Sequence, residues 1–208
     1  MTITPNADRL ACISLTGRVL GTLFYSAPSS QEAAPLMQML ATTEWADEWP
    51  MPFSELPSIA AKMQEGSAGA DLDEAWQRLF IGPYALPAAP WGSVWLDKEK
   101  VLFGDSTLEL RQWMREHNIA SLAAQNEPED HIGLLLLMAA WLAEAGEQQA
   151  LDELLAWHLL PWADRFLECF TERAGHPFYE ALGELTRHTL VRWQRGMILP
   201  VSLRELYL

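Results

Sequence analysis

The stretch NEPEDHIGLLLLMAAWLAEAG, residues 126–146, decides the fold class. It opens with polar and acidic residues, runs apolar from Ile132 to Ala143 with Gly133 inside the run, and stops at Gly146. Asn126 is predicted to cap a helix, Pro128 is tolerated in its first turn, and Glu129 completes a capping box. Gly146 suits the left-handed turn that closes such a helix. A helix apolar nearly all round has to be buried on every side. The run is too short to cross a bilayer. This element is therefore expected to be the central helix of a helical protein.

Outward from it, helical periodicity dominates, with no strand-like alternation long enough for a sheet and no internal repeat. Before the central helix, helices are predicted over about Ala7 to Tyr25, from Ser29 (capping box with Glu32), over Ser58 to Gln64, from Asp71 or Asp73 through Phe80, and from Ser106 (capping box with Glu109). Pro35 should displace the start of the second or bend it. After the central helix follow Gln148 to Leu159, a helix begun or kinked at Pro161, and Pro177 to Arg195, ending at Gly196. About nine helices with short links make an all-α, irregular, single-domain bundle over residues 1–208. Trp113, Trp141 and Trp193 are expected in its core. Thr42 to Pro57 is expected as a loop packed through Trp45, Trp49 and Phe53. Gly82 to Val94 reads as a loop too, because Pro83, Pro87 and Pro90 forbid a helix interior. It is nevertheless aromatic, with Tyr84 and Trp91 inside it and Trp95 next.

Composition narrows the function classes. Lys and Arg total 14 against 28 Asp and Glu, a formal net charge of -14. Nucleic acids and anionic membranes repel such a surface, whereas basic partners are attracted to it. The same charge also serves solubility alone. Met1 to Asp8 has neither the basic cluster nor the apolar stretch of a secretory signal. Cys12 and Cys169 form no metal or redox spacing and are expected as buried free thiols, consistent with a reducing, cytoplasmic setting.

Two constellations carry chemistry. In Glu127-Pro128-Glu129-Asp130-His131, carboxylates near a helix start offset its exposed N–H groups, and His131, on the face of Leu134, Leu135 and Met138, is either a satisfied core residue or the floor of a groove. HExxH and HxxEH are absent, so a metal site finds no support. GxSxG, GxGxxG and GxxxxGK[ST] are also absent, and no catalytic residue is assigned. An acid–base pair of Asp130 and His131, as in a small nucleotide hydrolase, is the rival reading. Gly104, beside Asp105 and Ser106, is placed for a local anion contact at a helix start. The second constellation is aromatic: Trp76, Phe80, Tyr84, Trp91 and Trp95 bracket the proline-rich loop. Rigid rings on a stiff loop suit peptide recognition or pack as a hydrophobic loop.

Trp76-Gln77-Arg78-Leu79-Phe80, Gly82-Pro83, Pro90-Trp91-Gly92-Ser93-Val94-Trp95, Leu102-Phe103-Gly104-Asp105-Ser106 and Asn126 to His131 together resemble the TorD/DmsD family of redox-enzyme maturation chaperones. The likeness runs over nearly the whole chain and is strongest to the branch that serves anaerobic dimethyl sulfoxide reductase. It implies an all-α chaperone without catalysis. Such a chaperone binds the twin-arginine signal peptide of a molybdoenzyme catalytic subunit until the molybdenum cofactor is loaded. Paralogues serve trimethylamine N-oxide or nitrate reductase. By resemblance, the peptide-binding residues are Trp76, Leu79, Phe80, Trp91, Trp95, Gly104, Asp130 and His131. Tyr84 stands where close relatives carry tryptophan. Glu127 joins them on charge, with Asp130 and Glu127 expected to accept the leader's guanidinium groups. Contact with Tat translocase components is a further implied partner. Guanine nucleotide binding is reported for some members, and no motif here carries it.

Overall fold

A computed structural model of the chain describes residues 5–120 and 127–207. Its elements are α1 (Pro5–Tyr25), α2 (Ala34–Leu40), α3 (Trp45–Glu48), α4 (Leu56–Ser67), α5 (Leu72–Trp76), α6 (Gly92–Leu96), α7 (Asp105–Glu116), α8 (Ile132–Ala145), α9 (Gln148–Glu153), α10 (Leu160–Arg173) and α11 (Pro177–Trp193). A π-helical turn, Gln77–Ile81, extends α5, and another, Leu154–Leu159, joins α9 to α10. Among the described residues there is no strand, only an isolated bridge between Trp91 and His131. Nine of the helices are those expected from the sequence. The two others are single turns: α3 lies inside the stretch read as a loop over Thr42 to Pro57, and α6 begins inside Gly82 to Val94 and runs two residues past it.

The centre is α8, ten of whose 14 residues are buried. It packs most extensively on α1. Their backbones approach closely because small residues face each other. A Cβ on Gly21 would meet the Gly133 carbonyl oxygen at 2.8 Å, and one on Gly17 the Leu136 oxygen at 2.8 Å. α11 lies against α4 and α10. Phe24, Phe166, Phe170, Tyr179, Trp162 and Trp193 fill one continuous core cluster. Trp193 donates its indole N–H to Thr16 Oγ1 at 3.1 Å, so burying the ring leaves no orphan donor.

Several local expectations are corrected. α8 starts at Ile132, not near Asn126, and its cap is His131, whose Nδ1 accepts the Gly133 N–H at 3.1 Å. The bridge to Trp91 holds His131 extended (φ -60°, ψ 131°), so α8 does not continue back through His131. The three carboxylates therefore precede the helix rather than filling its first turn, and Glu127 and Asp130 do not share a helix. Asn126 lies outside the described residues. Pro35 sits in the first turn of α2, displacing its start to Ala34, and no side chain caps that helix. The Ser29 and Ser106 capping boxes do not form. Trp45 and Trp49 are buried as expected, but Trp141 is 42% exposed, because α8's one open side lies there. Both cysteines are free; Cys169 is buried and Cys12 only half-buried.

Candidate functional site

The loop after α5 is fastened at both ends. At its start Gly82 turns with φ 105°, a conformation that side-chain-bearing residues rarely adopt. Its N–H donates to the Gln77 oxygen at 2.9 Å. Arg173 Nη1 holds the Pro87 oxygen at 3.0 Å. At its far end, residues 90–93 dock onto the approach to α8. Ile132 N–H donates to Pro90 O at 2.7 Å, Gly92 N–H to Asp130 O at 3.1 Å, and Ser93 N–H to Asp130 Oδ2 at 2.6 Å. Gly92 fits because a Cβ there would strike the Trp162 ring, its Nε1 at 2.9 Å.

Asp130 is thus a strut. Its side chain is buried and one oxygen, Oδ2, accepts the Ser93 N–H; the buried Ser93 and Thr107 hydroxyls lie close to the carboxylate without forming a well-aligned hydrogen bond to it. Burial raises its pKa above the usual carboxylate value, opposed by the Ser93 and Thr107 interactions. His131 is equally enclosed, and desolvation pushes its pKa down to about 3. It is neutral near pH 7, with Nδ1 accepting and the proton on Nε2. Asp130 and His131 each serve a backbone N–H, which is not the arrangement of an acid–base pair.

Around His131 runs a chain of rings. Tyr25 lies 5.4 Å away, Trp91 5.8 Å and Phe80 6.5 Å by centroids, and Phe80 leads to Trp76 at 6.1 Å. Trp91 donates its indole N–H to Glu127 Oε1. Glu127 is half-buried, and desolvation raises its pKa despite that bond. The fold therefore gathers Trp76, Phe80, Trp91, Glu127, Asp130 and His131. Trp76 and Trp91 are half-buried, and Tyr84, farther along the loop, is 86% exposed.

Three expected residues lie apart. Leu79 is wholly buried core. Trp95 turns inward onto Phe166 at 6.0 Å and donates to Ala89 O at 2.8 Å. Gly104 opens α7, and the Asp97 carboxylate occupies that terminus. It accepts the Ser106 N–H at 3.1 Å and would overlap any Cβ at position 104. No local sequence pattern marks the roles of Asp97, Ser93, Arg111 (paired with Glu129 at 2.6 Å) and Arg173. Their partners lie 9 to 86 positions away, beyond any local pattern.

The nitrate reductase delta subunit family model matches residues 44–168. The chain is 57% identical over 194 residues to the Tat proofreading chaperone DmsD of Salmonella typhi, covering 93% of this chain and 95% of that one. It is 31% identical to the chaperone protein YcdY of Escherichia coli, covering 85% and 91%. A crystal structure described as a candidate redox enzyme maturation protein from Archaeoglobus fulgidus superimposes with a TM-score of 0.52 at 15% identity, covering 92% of this chain and 96% of that one, and shares the fold. The chain belongs to the TorD/DmsD family of redox-enzyme maturation chaperones, within the reach of the nitrate reductase delta subunit model.

Proposed function

We propose that this chain is a system-specific chaperone for redox enzymes exported by the twin-arginine route, and that its ligand is the twin-arginine leader of a molybdoenzyme catalytic subunit. The observation that carries this reading is the aromatic loop. Tyr84 and Trp91 are presented on a segment fastened to the approach to the central helix by backbone and Asp130 bonds, with Trp76 at the end of α5 before it. A pre-ordered ring surface binds an apolar segment at low entropic cost. The name carried by the 57% identical relative supports the same ligand. The work is binding and shielding rather than turnover, so Asp130 and His131 act as supports.

The client is dimethyl sulfoxide reductase, engaged in the cytoplasm before export and cofactor loading. A hand-over to translocase components follows from that role. Among the described residues no helix is long and apolar enough to cross a membrane. A second reading, a nitrate reductase client, is favoured by the description of the matching family model. Competition between the leaders of dimethyl sulfoxide, trimethylamine N-oxide and nitrate reductases for the purified protein separates them. The first should displace the other two at the lowest concentration. Preferential binding of either other leader overturns the client assignment.

A further inference from the structure

The acids nearest the aromatic loop are mostly committed. Asp130 is buried against Ser93, Glu129 is paired with Arg111, and Glu127 Oε1 takes the Trp91 indole N–H. Two others are not. Asp73 and Glu74, on α5, are exposed and make no ion pair or side-chain hydrogen bond among the described residues. They line an open groove of about 680 Å³, whose opposite wall is the loop carrying Pro83 and Tyr84. The cations at that groove are engaged by backbone carbonyls: Arg78 donates to the Arg173 and Ala174 oxygens, and Arg173 to the Pro87 oxygen.

The groove adjoins the ring surface. Asp73 is four residues from Gln77 and three from Trp76, so it stands between the groove wall and the face of Trp76 and Phe80. An apolar segment on the rings and a basic segment in the groove are therefore within reach of one continuous peptide.

We infer that the groove between α5 and the Tyr84 loop receives the paired guanidinium groups of the leader, with Asp73 and Glu74 as acceptors and the exposed Tyr84 ring as a stacking surface. The inference rests on the leader-binding reading and assigns its arginine subsite. Charge complementarity selects the occupant: uncommitted carboxylates beside an exposed ring match a planar cation better than an ammonium, which cannot stack.

The test is a calorimetric cycle with the dimethyl sulfoxide reductase leader peptide and a copy whose two arginines are glutamine. The proteins are wild type, Asp73→Asn/Glu74→Gln and Glu127→Gln. Asp73→Asn/Glu74→Gln should weaken the arginine peptide by about tenfold and leave the glutamine peptide unchanged. Unchanged glutamine-peptide binding also reports an intact fold. If the arginine preference survives in that variant, or disappears only in Glu127→Gln, the groove assignment is overturned while leader binding stands. If neither peptide binds wild type, the leader reading falls and this inference with it.

Discussion

Asp130 distinguishes a strut from a ligand-binding carboxylate, and two substitutions separate the roles. In Asp130→Ala the Ser93 N–H, fully buried and bonded to Asp130 Oδ2 at 2.6 Å, loses its acceptor. A hydrogen bond to a charged group is worth about 1.5–3 kcal/mol, and an orphaned buried donor adds to the loss. Asp130→Ala should therefore cost about 3 kcal/mol. In Asp130→Asn the amide oxygen keeps the Ser93 bond. Its NH₂ takes the place of Oδ1, close to the Ser93 and Thr107 hydroxyls, whose oxygens make no well-aligned hydrogen bond and can accept from it. The buried charge disappears at the same time. Asn should thus lie within about 1 kcal/mol of wild type. Urea unfolding followed by circular dichroism reads both differences from the midpoint at constant slope. The strut reasoning is refuted if Asn costs as much as Ala. It is refuted equally if Asn folds normally yet loses the preference for arginine over glutamine leader.

Other outcomes follow from the same geometry. Burial holds His131 at about 3 against 6.5 in the unfolded chain, so on acidification the unfolded state takes up the proton first and stability is lost. Between pH 6.5 and 5 the loss attributable to His131 is about 2 kcal/mol. His158, pushed down to about 4 by burial, acts in the same direction, whereas the raised values of Asp130 and Glu127 act oppositely. His131→Asn, which retains a capping side chain, should flatten the pH dependence of unfolding by about that amount, and an unchanged profile would contradict the buried neutral histidine. Gly21→Ala sets a methyl 2.8 Å from the Gly133 oxygen and should cost about 2–3 kcal/mol by thermal unfolding. Gly146→Ala has open space around it and should cost only about 1 kcal/mol, for its positive φ of 75°. Equal losses at the two positions would contradict the close crossing of α1 and α8.

The all-α fold is legible because α8 and its neighbours carry their signals locally: apolar residues at helical spacing, Pro35 and Pro161 in first turns, Gly146 at a left-handed stop. The start of α8 is not legible. Pro128 and Glu129 look like a first turn, but strand-like pairing of His131 with Trp91, 40 positions away, overrides that propensity. The same long-range pairing turns Asp130 inward. The residue types of the site are visible in the sequence, while their division into displayed rings, struts and core is set by tertiary contacts. Asp97 illustrates the difference, occupying a helix terminus that reads as open at Gly104 and Ser106 from sequence alone.

The central claim is leader binding at the aromatic loop. Its most direct test is isothermal titration of the purified protein with the dimethyl sulfoxide reductase leader, beside Trp91→Ala and Tyr84→Ala. One-to-one binding on the order of micromolar, about -8 kcal/mol, weakened at least tenfold by each substitution, is the expected result. Full-strength binding in both variants, or no heat with any twin-arginine leader, would contradict it.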